Sequence, residues 1–230
     1  MFTKILLSLA ILFNLRFADI RKTWVSSWSP VTIKSYDPVT KEGIEFIVPD
    51  DLEIETISGK GFWLVGKLKQ AKDLSWAIGS LEDAIGVPLE RNNNHFFSWG
   101  VKWEKKSLDK YLVSQTTVDG VLIKKLDNSW FKVSKDWFVS SKLAEENVVL
   151  RIENTVSYIG LGGHAAKILE GYGIKVGLIS SNDANLDKCE VTGKGLIAEY
   201  VAFKFGCTTK EGEEIILRLG KEYLDYWKGK

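Results

Sequence analysis

The last third of the chain alternates between two hydrophobic periods, and this restricts the fold more than any other feature. Val148 to Glu153 alternates apolar and polar residues, as a half-buried strand does. Leu161, Ala165, Ile168, Leu169 and Tyr172 then share one face of a helix, which Gly171 and Gly173 close. Lys175 to Ser180 and Cys189 to Thr192 read as strands. Leu196 to Phe205 reads as a helix with Ile197, Val201 and Phe205 in register, stopped by Gly206, and Glu214 to Leu219 as a final strand. The order β-α-β-β-α-β predicts a two-layer sandwich with both helices on one sheet face.

The preceding part is less regular. Val31 to Tyr36 and Gly43 to Val48 read as strands, with Asp37 to Gly43 as their hairpin connection. Leu74, Ile78, Leu81 and Ile85 predict a helix over 72–85, ended by Gly86 and Pro88. Phe96 to Val101 reads as a strand, and Ser107 as the N-cap of a helix carrying Leu108, Tyr111 and Leu112. Val118 to Asp136 reads as short strands and loops. All four Pro and eight of the nine Trp precede residue 148, whereas twelve of the twenty Gly lie beyond it. The polar run Ser140 to Asn147 precedes that shift and predicts a domain boundary. The fold class is therefore α/β (α+β), with two small domains.

Function classes narrow by composition. Lys and Arg total 31 against 30 Asp and Glu, which argues against a nucleic-acid binder, since that normally needs a basic excess. Two Cys and two His are too few for a Cys/His zinc cluster. At the N-terminus, Lys4 is followed by an apolar stretch from Ile5 to Phe13, broken only by Ser8. This is the shape of a secretory signal or short signal anchor over residues 1–19; a buried N-terminal helix is the other reading. Export would place Cys189 and Cys207 in an oxidising compartment and make them a candidate disulfide. Otherwise they are two buried thiols.

Several groups invite a chemical reading. Gly160-Leu161-Gly162-Gly163, with Ala165, formally meets a dinucleotide-loop pattern before a helix, but the unit is the wrong size, and a tight approach into a packed helix explains the same glycines. His95 and His164 have no Cys or Ser at a triad spacing. Asp50-Asp51 and Glu145-Glu146 could serve acid–base work or hold a metal, or form solvated loops. Lys102-Trp103-Glu104-Lys105-Lys106 is a small basic-aromatic patch, and the other Trp read as core and sheet-face material. No catalytic, cofactor-binding or metal-binding residue is assigned.

Residues 148–224 resemble the C-terminal domain of the LytR/CpsA/Psr family, through Val149-Leu-Arg-Ile-Glu-Asn-Thr155, Gly160-Leu-Gly162, Ile174-Lys-Val176, Asn182-Asp-Ala184 and Ile215-Ile-Leu-Arg-Leu-Gly220-Lys-Glu-Tyr223. Residues 30–90 more faintly resemble the first half of that family's catalytic domain, through Val31 to Lys41, Phe46 to Leu52 and Gly86 to Glu90. The resemblance implies transfer of lipid-linked glycopolymers to peptidoglycan, with Arg and Asp residues around a polyprenyl pyrophosphate and magnesium. Here Ser27-Trp28-Ser29-Pro30 stands where the family has Arg-Ser-Asp-Thr. Val48-Pro49-Asp50-Asp51 stands where it has Ile-Pro-Arg-Asp, so Asp50 replaces the cation that would face pyrophosphate and would repel it.

The expectation is thus a signal or anchor at 1–19, a degenerate LytR-CpsA-Psr-like domain at 20–140 and a LytR C-terminal-like domain at 148–230. The protein would be extracytoplasmic, membrane-tethered through its N-terminal segment or secreted. It would bind a cell-wall glycopolymer or an envelope protein, with no cofactor and no nucleic acid. A divergent glycopolymer phosphotransferase using Lys34, Lys41, Lys60 and Lys67 is the competing expectation. A cytoplasmic nucleotide-binding regulator using the Gly160 loop is a third.

Overall fold

The computed structural model describes residues 16–90 and 101–227. The chain enters through Phe17 and Ile20, then forms the meander β1 (Lys22–Trp28), β2 (Val31–Asp37) and β3 (Glu42–Val48). Val31, Ile33 and Ser35 on β2, and Phe46 and Val48 on β3, point to the buried side. The hairpin at Asp37 is held by its own carboxylate. Oδ1 accepts from Val39 N at 2.9 Å and Thr40 N at 3.3 Å, an Asx turn that leaves Lys41 at a φ of 60°. A small pair, β4 (Glu53–Glu55) and β5 (Phe62–Leu64), and two 3-10 turns lead into α1 (Leu74–Ile85). Asp73 caps that helix by accepting from Trp76 N, and Gly86, at a φ of 64°, ends it in the left-handed conformation that glycine adopts without strain.

β6 (Trp103–Lys106) adds in parallel to β3 and completes a four-stranded sheet, β1-β2-β3-β6. Three readings change here. Ser107 is not the cap of a helix: its Oγ accepts from Asp109 N at 3.0 Å just before a single 3-10 turn (Asp109–Tyr111) whose N-cap position is Leu108. The β-branched run that follows pairs instead as the hairpin β7 (Leu112–Thr116) and β8 (Leu122–Leu126). Residues 128–138, expected as strand and loop, form α2 (Asn128–Phe138), capped by Asp127, because Trp130, Ser134 and Phe138 at i, i+4 and i+8 face the core. The polar run 140–147 is no loose connection. It holds the short helix α3 (Ser141–Ala144), with Ser140 and Leu143 buried and Ser140 N donating to Tyr172 O at 3.0 Å. Strand Phe96–Val101 and His95 fall outside the described residues, apart from Val101.

The C-terminal part follows the alternation in the sequence: β9 (Val149–Asn154), α4 (Leu161–Gly171), β10 (Lys175–Ser181), β11 (Glu190–Thr192) and α5 (Leu196–Phe205). After α5 come a short β12 (Thr208–Lys210), β13 (Ile215–Leu219) and a terminal α6 (Lys221–Trp227); β12 and α6 were not expected. The sheet order is β10-β9-β13-β11-β12, antiparallel only between β13 and β11. Leu150, Ile152, Ile215, Leu217 and Leu219 line its buried face, with α4 over β9 and β10 and α5 over β11 to β13. The class is α/β.

Buried apolar residues form two clusters. One lies beneath the first sheet, around Trp76, Leu81, Ile85, Trp130 and Phe138; the other lies between the second sheet and its helices, around Leu150, Leu169, Tyr172, Tyr200 and Leu217. Phe17 and Ile20, from the start of the chain, belong to the second, and Trp227 packs against both.

Cys189 and Cys207, 18 positions apart, are joined as a disulfide that ties the residue just before β11 to the chain just after α5. Closing a loop of that length restricts the unfolded chain and contributes about 3 kcal/mol. Replacing both with alanine is expected to lower unfolding free energy by about that amount, read from urea denaturation without reductant.

Candidate functional site

Two clefts concentrate polar groups. The larger, about 360 Å³, opens where β6 stops short of β3, between Glu45, Ile47, Lys105, Lys106 and Asp109. The basic-aromatic patch borders it but is already engaged. Lys106 pairs with Glu104 and sits over Trp137. Trp103 has the Lys34 ammonium 4.8 Å above its ring, and it packs so closely on Gly43 that a Cβ there would lie 2.8 Å from the indole. Lys34 in turn pairs with Glu45 at 2.9 Å. These contacts engage Trp103, Glu104 and Lys106 within the sheet face, while Lys102 and Lys105 are exposed.

The second cleft, about 270 Å³, lies on the seam between the two cores and is the better candidate. Strand periodicity places Glu53 and Glu55 on one side of β4 while Ile54 is buried. Phe62 comes from β5, Asp83 and Ala84 from α1, Lys125 and Leu126 from β8, Phe131 from α2 and Lys167 from α4. Lys125 pairs with Glu53 at 3.3 Å and lies over Phe62. Lys167 donates to the carbonyl oxygen of Asp83 and stands 4.8 Å from the Phe131 ring centre. Burial holds its ammonium below the ordinary lysine range, partly offset by the Asp83 carboxylate.

That shift has a sign. The unfolded chain holds the Lys167 proton to higher pH than the folded one. Its burial therefore costs stability at neutral pH, and the cost falls as pH rises from the lowered value towards 10.5. After reductive methylation with labelled formaldehyde, the Lys167 signal is expected to titrate at lower pH than those of the other lysines. Coincidence with them would remove the assignment.

Around the cleft, α4 carries a second stripe. His164 Nδ1 lies 2.8 Å from Tyr223 Oη and its Nε2 3.6 Å from Asp83 Oδ1. Glu170 accepts from Lys135 at 2.6 Å, and Gly171 lies against Pro88. His164 is buried. A further tie crosses the seam at Glu82, almost fully buried, which accepts from Leu89 N at 2.8 Å and from Lys204 at 3.3 Å.

With three carboxylates and two ammonium groups, the seam cleft favours a ligand that presents positive charge or an apolar ring, and it disfavours pyrophosphate. The four lysines of the transferase expectation contribute no cationic cluster. Lys34 is held by Glu45, Lys60 lies over Trp76, Lys41 is in the β2–β3 turn and Lys67 in a 3-10 turn; none of them lines either cleft. Asp51 pairs with Lys124 at 3.0 Å. Among the described residues no group of three or more His, Cys, Asp and Glu is placed to hold a metal ion, and no helix is long and apolar enough to cross a membrane. In the glycine loop, Gly162 is required by packing: a Cβ there would sit 2.7 Å from Cγ2 of Ile179 on β10. Gly162→Val is expected to cost about 1–3 kcal/mol by overpacking, measured in the same urea assay.

No known family's sequence profile matches the chain, and no curated protein matches it. Among solved structures it is similar to a transcriptional regulator from Enterococcus faecalis (TM-score 0.28, 8% identity, covering 84% of this chain and 90% of that one). It is also similar to the LytR-CPS2A-psr family protein YwtF (TagT) with bound octaprenyl pyrophosphate lipid (0.26, 9%, 91% and 87%). A third likeness is to B. subtilis TagU (0.26, 11%, 91% and 95%).

Proposed function

We propose that this is an extracytoplasmic, cell-envelope-associated binding or scaffolding protein related to the LytR/CpsA/Psr proteins, without transferase chemistry of its own. The observation that carries the reading is the state of its cations. Arg21 is committed to Asp37, Lys204 to Glu82, Arg218 to Glu153 and Glu190, and Lys34 to Glu45. Phosphoryl transfer rests on positioned positive charge, and each of these groups is spent on a carboxylate; Lys204, which borders a small pocket with Phe205, Glu222 and Tyr223, stands there alone as a cation. The space beneath the first sheet is filled by Trp76, Leu81, Ile85 and Trp130. The disulfide supports a location outside the reducing cytoplasm. A membrane tether through the apolar stretch Ile5 to Phe13, ahead of Arg16 and Phe17, which belong to the folded body, and a glycopolymer or envelope-protein partner belong to the same proposal.

The test is binding of a polyprenyl-pyrophosphate lipid to the full chain in detergent, with and without magnesium, beside co-sedimentation with purified cell walls. Wall binding without lipid binding is expected. Magnesium-dependent lipid binding would favour the divergent transferase and direct mutagenesis to Asp50 and Asp51.

A further inference from the structure

We infer that Lys167 is a reactive amine, held in the seam cleft to capture the carbonyl group of an uncharged aldehyde as an imine. This goes beyond the envelope reading and does not rest on it. Lys167 stands on α4, in the C-terminal part, but its side chain reaches across to α1 and α2. It runs so close to Gly86, which ends α1, that a Cβ there would lie 3.1 Å from Lys167 Cε and 3.1 Å from the Phe131 ring. Its Nζ then donates to the carbonyl oxygen of Asp83 and lies 4.8 Å from the Phe131 ring centre. Other cations withdrawn from solvent have carboxylate partners, Arg21 with Asp37 at 3.5 Å and Lys204 with Glu82 at 3.3 Å. Lys167 has no ion pair among the described residues; a carbonyl oxygen and a ring are its contacts. That setting suits a neutral amine, and a neutral amine is a nucleophile. Burial favours the same form against the opposing pull of the Asp83 carboxylate. With its ordinary pKa a lysine is neutral at pH 7 in only about one molecule in 2,500, so the lowering enlarges the reactive share directly.

The rest of the cleft selects the partner. Phe62, 63% exposed, and Phe131 offer ring faces within a space of about 270 Å³, room for one aromatic or aliphatic body. Glu53, Glu55 and Asp83 outnumber Lys125 and Lys167, so an anionic aldehyde is repelled and an uncharged one is not. The step balances without oxidant or reductant. The Lys167 nitrogen lone pair attacks the carbonyl carbon, the C=O π pair moves to oxygen, and oxygen gains a proton as nitrogen loses one. The carbinolamine C–O bond then breaks, the nitrogen lone pair forms C=N, and the hydroxyl leaves as water with a proton from a carboxylic acid. The second nitrogen proton goes to the resulting carboxylate. Asp83 and Glu55, which line the cleft, are the carboxyl groups at hand, and Asp83 also faces His164 Nε2 at 3.6 Å.

Reductive trapping tests this. The full chain in detergent is treated with benzaldehyde and sodium cyanoborohydride at pH 7, and benzylation of each lysine is followed by peptide mass spectrometry. Lys167 is expected to be labelled about tenfold faster, or more, than the median lysine. Carboxybenzaldehyde should lose that preference, because the carboxylates repel it. Phe62→Ala, at an exposed position, should slow labelling of Lys167 alone, with circular dichroism unchanged. A lysine that serves only as a strut is shielded by its burial and reacts more slowly than the median. That result, or labelling merely equal to the median, overturns the inference. Fast labelling that carboxybenzaldehyde matches, or that Phe62→Ala leaves untouched, overturns the cleft as the place of capture.

Discussion

Asp37→Ala is expected to lower unfolding free energy by about 3–5 kcal/mol, because it leaves the Arg21 guanidinium buried without its counter-charge. Arg21 is 5% exposed and Asp37 0%, with Arg21 Nε 3.5 Å from Asp37 Oδ2. Burial already holds the guanidinium below its ordinary pKa, and Asp37 and Glu42 oppose that shift. The carboxylate does more than balance charge. One oxygen shapes the β2–β3 turn and the other accepts from Ser141 N at 2.9 Å, so removing it also frees the segment joining the two cores. Arg21 in turn donates to Val139 O at 2.7 Å. A loss of that size takes a third or more of the stability of an ordinary domain. Equilibrium urea unfolding measures it. A cost under about 1 kcal/mol would mean that water reaches the pair and screens it.

Trp130→Ala is expected to cost a similar amount, about 3–5 kcal/mol, through a cavity and an orphaned carbonyl. Trp130 is fully buried. Its ring packs against Phe46, Tyr111 and Trp137 at centroid distances of 6.0, 5.6 and 5.4 Å, and its indole Nε1 donates to Ile85 O at 2.7 Å, joining α2 to the end of α1. Trp130→Phe keeps much of the packing and loses the donor, so the difference between the two variants separates cavity from hydrogen bond. Near-equality would show that the hydrogen bond carries most of the cost.

How much of this could be read beforehand depended on where each residue's partner lies in the chain. The β-α-β-β-α-β order from Val148 to Leu219 was legible because period and punctuation agree: apolar faces at helical spacing, with Gly173 and Gly206 behind them. Helix 128–138 was not, since Trp130, Phe131, Val133 and Trp137 are aromatic or β-branched residues that suit a strand equally well. Only Asp127 as N-cap and the i, i+4, i+8 spacing of Trp130, Ser134 and Phe138 could have signalled it. Ser140 to Asn147 looked like a connection because its residues are polar. Arg21, Asp37 and Tyr172, which bury Ser140 and hold this segment, lie far away in sequence. The seam cleft was missed for the same reason. One face of α4 was read as core, and the opposite stripe, His164, Lys167, Glu170 and Gly171 at helical spacing, marks a second packed surface. Its meaning depends on Asp83, Lys135 and Pro88 in the other half.

The burial of Phe17 and Ile20 in the C-terminal core sets an order of events in time. Phe17 meets Tyr200 with ring centroids 5.6 Å apart, and Arg16 bonds Glu199, 183 positions away, at 2.7 Å. Residues near position 17 therefore leave the ribosome long before their partners near position 200 are made. Closing so long a loop is slow, and Phe17 and Ile20 wait with their side chains uncovered until the segment around Tyr200 has been made. A fragment beginning at Val148 would inherit the complementary defect, an empty slot where Phe17 belongs. The second core is thus completed by residues made long before it, and in a nascent copy stalled before Tyr200 Phe17 has no such ring to close upon.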